Sequence, residues 1–460
     1  MLKMKIIYIY VAAAALLLGS CASWNQIHTD YSPQKIVGDS VIRQEFLSDT
    51  TQTVALKQWR EFYKDPQLQN LISKALENNS DLRKACLKIE EAEASLQQSK
   101  RALAPSADIA ATGSVSKFGS NSATKTYSIG PEVSWTADII GKLNNNKKAA
   151  LATVEERQYA AQAVQVELIA TVAADYYTLE TLDAKIKVTE NTIASWKEYI
   201  QTEKALMKAG EADESDVAQA EASLLSTEAT LETLRQQVKK TENSLCGLIG
   251  IPATTISRGN LDDADLCTDL LHGINAQLLA NRPDVQEAEA ALKAAYYNTN
   301  VARAAFWPSL TLSGAAGWTN NGGVVVNPGK LLLQAAASLT QPLLSQGQNE
   351  ANLKIAKAQQ QEAAISWQQT VLDAGNAVNN NLQGWQSAQA RIEKEKQQIT
   401  KLEETLRATR AKMRYGTTNY LQVIIARQSL LSAQLNMLAD RYDVLDNYIL
   451  LYQNLGGGKE

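Results

Sequence analysis

From Lys142 to Ala209 the chain runs 68 residues without a glycine or a proline, and from Gln348 to Tyr415 it runs another 68 interrupted only by Gly375 and Gly384. At a rise of 1.5 Å per residue each stretch would make a helix about 100 Å long, well beyond the diameter of a globular domain. Each run closes near a glycine, Gly210 or Gly416, and a second periodic segment follows. There Leu224, Leu231, Val238 and Leu245 recur every seven residues, as do Leu430, Met437, Val444 and Leu451. A sustained seven-residue apolar spacing predicts coiled-coil packing. The two glycines suit the left-handed turn of a tight helical hairpin.

Between these helical runs the period changes from seven to two. In "YSIGPEVSWT" the residues Tyr127, Ile129, Pro131, Val133 and Trp135 alternate with Ser128, Gly130, Glu132, Ser134 and Thr136. In "SLTLSGAAGW" the set Leu310, Leu312, Gly314, Ala316 and Trp318 alternates with small or polar residues, and Leu331, Leu333, Ala335, Ala337 and Leu339 do so more weakly, as does "SADIAATGSVS". Each run has about the 9–11 residues that a tilted strand needs to cross a bilayer. Polar or Gly-rich loops, "SKFGSNSATK" and "TNNGGVVVNPG", divide them into two hairpins. Trp135 and Trp318 stand near strand ends, where interfacial aromatics belong. Four strands cannot span a membrane alone, because both edges would present unpaired backbone groups to hydrocarbon. The sheet must therefore close with copies of itself. Two chains would give about eight strands and a side-chain-filled interior, whereas three would give about twelve and leave a lumen, which the small, polar alternate faces favour.

The elements come twice. Asp81 precedes Pro105-Ser106 by 24 residues and Asp284 precedes Pro308-Ser309 by 24; Gly210 precedes Gly250 by 40 and Gly416 precedes Gly456 by 40. Such matched spacings mark a tandem duplication. The predicted organisation is a signal peptide over 1–20, an extended, lipid-anchored segment over 21–56 and a first repeat over 57–250. That repeat comprises helices, a β-hairpin at about 105–138 and a helical hairpin at 142–248. A linker over 251–280 leads to a second repeat over 281–458, with a helix at 283–306, a β-hairpin at about 308–342 and a helical hairpin at 348–455.

Charge and composition narrow the class. A net charge of −4 offers no basic face to nucleic acid, and no apolar run beyond the first 20 residues is long enough for a transmembrane helix. Lys3 and Lys5 precede an apolar stretch, Ile6–Leu18, that ends in Leu18-Gly19-Ser20-Cys21. This looks like a bacterial lipobox, in which cleavage would fall before Cys21 and its thiol would take the lipid; the alternative is an ordinary secretory signal with an incidental Cys. Position 22 is Ala rather than Asp, so nothing signals inner-membrane retention, and the expected location is the outer membrane of a Gram-negative cell. Cys86, Cys246 and Cys267 lack metal-ligand spacing; at most one bridge, Cys246–Cys267, could form among them.

The segment Leu278-Leu279-Ala280-Asn281-Arg282-Pro283-Asp284, with Ala288-Glu289 and Leu292, resembles the "LLxxRPD…AExxL" signature of outer-membrane efflux lipoproteins of the TolC/OprM type (NodT-like subfamily). So do "SWTADIIGK" (134–142), "TQPLLSQGQ" (340–348) with Pro308 upstream, "YGTTNYLQVIIARQSLLSAQ" (415–434) and the terminal "LGGG". The resemblance implies a mainly α chain with a membrane β-barrel: a homotrimer with a 12-stranded barrel and a 12-helix periplasmic tunnel. It also implies docking on a periplasmic adaptor and an inner-membrane efflux pump. Members of that family often carry an acidic residue two positions after the second hairpin glycine, at the aperture; here that position is Thr418. Asp213, Glu214 and Asp216 follow the first hairpin glycine instead, where a helix N-terminus favours acidic residues in any case.

Enzyme readings find little. His28 and His272 are isolated, pairs such as Glu90-Glu91 and Glu403-Glu404 fall in helical patterns, and no HExxH, GxSxG or P-loop is present. Neither a metal nor a cofactor is expected. The leading reading is a passive exit duct for drugs or other small molecules. A duct for type I protein secretion, and a lipid-anchored coiled coil without a channel, are the alternatives.

Overall fold

The computed structural model describes residues 20–35, 41–43, 58–117, 119, 122–210, 213–263, 276–320, 330–342, 345–414 and 420–458. The helices are α1 (Ser20–His28), α2 (Trp59–Phe62), α3 (Pro66–Asn78), α4 (Ser80–Arg101), α5 (Lys142–Lys208), α6 (Glu214–Ile249), α7 (Pro283–Ala304), α8 (Gln348–Arg414) and α9 (Tyr420–Asn454). The strands are β1 (Ser106–Ser116), β2 (Thr124–Ala137), β3 (Ser309–Thr319) and β4 (Lys330–Thr340). Both long runs are single helices of 67 residues. Among the described residues no helix is long and apolar enough to cross a membrane.

The chain divides into two compact units, each assembled from segments of both repeats. The first (residues 1–35, 86–159 and 286–369) contains the sheet. Its strands run in the order β1-β2-β3-β4, antiparallel throughout. Pro131, which lacks an N–H, lies within β2, and the β2–β3 ladder is interrupted at Gly130 and Pro131. Gly130 and Gly317 let the two backbones approach there: a Cβ on Gly130 would lie 2.1 Å from the Ala316 carbonyl oxygen, and one on Gly317 2.3 Å from that of Ile129. Asp138 starts α5, its carboxylate accepting from the backbone N–H groups of Leu143 and Asn144 at 2.9 and 2.7 Å.

One expectation is corrected in this unit. The segment after Cys21 is not extended from its start but forms α1. Trp24 stacks on His28 one turn later, with ring centres 4.4 Å apart, Ile27 is buried, and the Thr29 hydroxyl donates to the Asn25 carbonyl at 2.7 Å. Local side-chain packing thus outweighs the loop-like composition. Extended chain follows at 29–35, where Asp30 pairs with Lys148, Thr29 accepts from the Tyr296 hydroxyl and Gln34 N–H donates to Glu289 at 2.9 Å. The helix expected at 283–306 ends at Ala304.

The second unit (residues 36–85, 160–285 and 370–460) holds α6, α9 and the C-terminal parts of α5 and α8. Its core near the chain end stacks Phe62 on Tyr452 at 4.0 Å, beside buried Trp59, Leu68 and Ile72. Of the first heptad, Leu231, Val238 and Leu245 are buried and Leu224 packs against a core cluster; of the second, Leu451 is buried. Gly375, one of the two breaks in the second glycine-poor run, has a packing reason. Val41 of the N-terminal segment crosses α8 there, with its Cγ1 2.1 Å from where a Cβ would stand.

Candidate channel wall and hairpin tips

The sheet register decides which side chains share a face. Ala111 lies opposite Ile129, and Ile129 opposite Trp318, which lies opposite Leu331; Val133 lies opposite Gly314, and Trp135 opposite Leu312. All the apolar alternates of the four strands therefore fall on one side. Ile109, Ile129, Leu312, Trp318, Leu333 and Leu339 are exposed there, from 37% to 83%. The other side carries serines, threonines, Asp108 opposite Glu132, and Gln334; Leu332 is its main apolar exception. A sheet this apolar on one face and polar on the other suits lipid on one side and water on the other. Within the chain β1 and β4 each pair on one side only. In hydrocarbon those edges must meet further copies.

The first helical hairpin is zipped by charge. Lys204 pairs with Glu221 at 2.6 Å, Lys197 with Glu228 at 3.1 Å and Arg235 with Glu190 at 3.1 Å, so each pair is one heptad further from the turn. The next level brings Asp183 opposite Glu242, like against like. Arg258, from the segment after α6, resolves it, donating to Asp183 at 2.6 and 2.9 Å and to Glu242 at 2.8 Å. Glu242 is 2% exposed, and these contacts with Lys239 and Arg258 hold its carboxyl below the usual range against the opposing pull of burial.

At the turn between α5 and α6 Gly210 takes the left-handed conformation (φ +78°). Asp213 is the N-cap of α6, its carboxylate accepting from Ser215 N–H at 3.2 Å. Glu214 is exposed and Asp216 half-buried. Across the turn Glu203 is fully buried, and neither carboxyl oxygen has a hydrogen-bond donor. Burial raises its pKa to about 7, with Asp216 adding repulsion and the nearby Tyr199 hydroxyl offsetting part. Gly416 and Thr418 lie outside the described residues, as does Cys267, so the Cys246–Cys267 pairing does too. The Cys246 thiol donates to the Thr254 carbonyl at 3.5 Å. Cys21 lies in α1. No His, Cys, Asp and Glu group among the described residues is arranged to hold a metal.

The signature residues form a clasp. Arg282 donates to Asp284 at 3.0 and 2.7 Å, and to the Asn454 carbonyl and side-chain oxygens at 3.1 and 2.6 Å. Pro283 is the first residue of α7, where its missing N–H costs nothing. The clasp fastens the start of α7 to the end of α9, satisfying a terminal carbonyl. The first repeat makes the same joint with different chemistry. Asn79, two residues before Asp81 as Arg282 is before Asp284, donates to the Leu248 carbonyl at 3.0 Å and accepts from Asp81 and Leu82 N–H. Glu289 receives the N-terminal segment through Gln34, and Pro308 leads directly into β3.

Sequence reasoning did not find Asn79, Glu203, Arg258 or the ion-pair ladder. The ladder had a signal: Glu190, Lys197 and Lys204 step by seven toward Gly210, and Glu221, Glu228 and Arg235 step by seven away with opposite charges. Arg258 had none, since its partners lie 16 and 75 residues away.

A duplicated chain carrying a lipid-facing sheet with open edges and long antiparallel helical hairpins has the build of an outer-membrane barrel-and-tunnel channel. The sequence model of the family described as outer membrane efflux protein matches residues 71–251 and 275–457, and the chain belongs to that family. It is 31% identical over 409 residues to the cation efflux system protein CusC of Escherichia coli, covering 87% of this chain and 88% of that protein. With the probable outer membrane lipoprotein SilC of Salmonella typhimurium it shares 28% over 470 residues, 100% of this chain and 99% of that one. The open-state structure of the Neisseria gonorrhoeae MtrE outer membrane channel superposes with a TM-score of 0.82 at 27% identity, covering 94% of this chain and 98% of that one. The protein is an outer-membrane efflux channel, and its family is one of ducts rather than an enzyme class. Channels of this family are homotrimers that work with adaptors and inner-membrane pumps.

Proposed function

We propose that three copies of this chain form the exit duct of a tripartite efflux assembly, receiving small molecules from a periplasmic adaptor and an inner-membrane pump. Cys21 carries the lipid that holds the N-terminus to the outer membrane, which places α1 and Trp24 beside the lipid headgroups. The observation that carries the reading is the sheet, with one exposed apolar face, one polar face and two unsatisfied edges. Asp108 facing Glu132 on the polar side favours cationic over anionic cargo.

The hairpin tips close the resting aperture. Acidic residues of the first turn, Asp213, Glu214 and Asp216, gather near the axis, while the matching place after the second turn is Thr418. Replacing Asp213 and Asp216 together by Asn keeps the capping chemistry, so the trimer should fold. The expected result is a changed resting conductance or cation dependence of the reconstituted channel, or weaker adaptor capture by crosslinking from the tip. A double variant matching the wild type in single-channel current, adaptor capture and cellular efflux would place the gate elsewhere.

A further inference from the structure

The step from Gly210 to Gly416 is 206 residues, and the same step carries Lys204 and Glu221 onto Arg410 and Arg427. Where the first hairpin sets opposite charges across the coil, the second sets two guanidiniums. Arg427 is only 7% exposed. Its guanidinium carbon lies 5.1 Å from the centre of the Trp196 ring and 4.9 Å from that of Tyr199, within range of attraction to both ring faces. Yet its Nε and Nη1 meet no hydrogen-bond acceptor, and among the described residues neither Arg410 nor Arg427 forms an ion pair. Burial, followed by repulsion from Arg410, lowers the pKa of Arg427 to about 10; Glu198 attracts it without forming an ion pair. A buried guanidinium left without a counter-charge is strongly unfavourable.

Both arginines line a cavity of about 210 Å³, with Asn191 and Ser195 as further polar walls and Leu406 and Leu431 as apolar ones. The walls that line it come from α5, α8 and α9 of one chain. We propose that this cavity binds a small organic anion, with a carboxylate or phosphate group between the two guanidiniums and a compact apolar body against Leu406 and Leu431. Guanidinium groups bind such oxyanions through paired, charge-assisted hydrogen bonds. The occupant supplies the anion that Glu221 supplies in the first hairpin. It touches α5 of one hairpin and α8 and α9 of the other, and so stabilises their packing by mass action.

Calorimetry on the intact, detergent-solubilised trimer tests this with benzoate, phenyl phosphate, benzamide, benzylamine and inorganic phosphate. Benzoate or phenyl phosphate should bind saturably, while benzamide and benzylamine should not. Inorganic phosphate should bind more weakly than phenyl phosphate. Arg427→Met should weaken binding by roughly tenfold or more. Arg410→Gln, at an exposed position that leaves the fold intact, should weaken it in the same direction, whereas Arg407→Gln should not. Benzamide binding as tightly as benzoate, or binding unchanged in Arg410→Gln, would overturn the proposal. Inorganic phosphate matching phenyl phosphate would overturn the apolar half of the assignment. Absence of binding by every probe, together with loss of the trimer in Arg427→Met, would assign the counter-charge to a neighbouring copy instead.

Discussion

The two helical hairpins share their helix lengths to within one residue and an end clasp, but they are held together differently. Three cross-helix ion pairs and the Arg258 bridge join α5 to α6. At the three matching levels the second hairpin has Lys396 opposite Arg441, Glu403 opposite Gln434 and Arg410 opposite Arg427. Lys396 bonds Glu393 in its own helix, and Arg441 turns to Asp262. Arg391 joins α8 to α9 by charge, through Asp440 and Asp443, each at 2.7 Å. Duplication preserved the geometry that backbone and spacing dictate, while the pairing chemistry diverged. The first hairpin is therefore the charge-locked one, and the second rests on apolar packing and whatever neutralises its arginines.

The largest effect that can break this comparison lies at Arg258. Arg258→Ala leaves Asp183 facing a buried Glu242 that keeps only Lys239, at 2.8 Å, as a cation, a loss expected to cost about 3 kcal/mol. Hydrogen exchange should show new opening in α5 and α6 near Asp183 and Glu242, with α8 and α9 unchanged. Equal exposure of both hairpins would mean that they unfold as one body and that the lock is not local.

Glu203 gives the next effect. Its folded pKa of about 7 stands above the ordinary carboxyl value of 4.5, so between those limits the folded state holds more protons than the unfolded one. Stability then falls as pH rises through that window. Thermal unfolding between pH 4.5 and 7.5 should show a steeper decline for the wild type than for Glu203→Gln, which should be the more stable at pH 7.5. Parallel curves would remove Glu203 from the account.

The smallest effect is in the ladder itself. Lys204 and Glu221 are about half exposed, and a double-mutant cycle on them should give a coupling of about 0.2–1 kcal/mol that shrinks with salt. The same cycle on Arg410 and Arg427 should give coupling of the opposite sign when no anion is supplied. A favourable coupling between the two arginines in anion-free buffer would contradict the contrast.

Much of this molecule is legible because its periodicities are long and repeated. The alternation around Ile129 and Leu312, the glycine-poor runs ending near Gly210 and Gly416, and the spacing from Asp81 to Pro105 each follow from local rules, and the register then brings the apolar alternates together. What stayed hidden depends on distant partners. Asn79 reaches Leu248 across 169 residues, and Val41 reaches Gly375 across more than 300. Asp213 reads as an aperture acid in sequence, whereas its geometry also makes it a helix cap, two roles that composition cannot separate. The helix after Cys21 is not legible because its nine residues, held by a Trp24–His28 stack, are too few to leave a periodic trace.

The central claim is that the exposed apolar face meets lipid and the alternate face lines a conducting lumen. Single-channel recording in planar bilayers, comparing the wild type with Ile129→Arg and Ser128→Arg, tests it most directly. The wild type should give discrete, persistent currents. Ile129→Arg should insert poorly, at a cost of about 2–4 kcal/mol near the bilayer midplane, while Ser128→Arg should insert normally and shift conductance or ion preference. Equal behaviour of the two variants, or an inserted wild-type trimer that passes no current, would contradict the account.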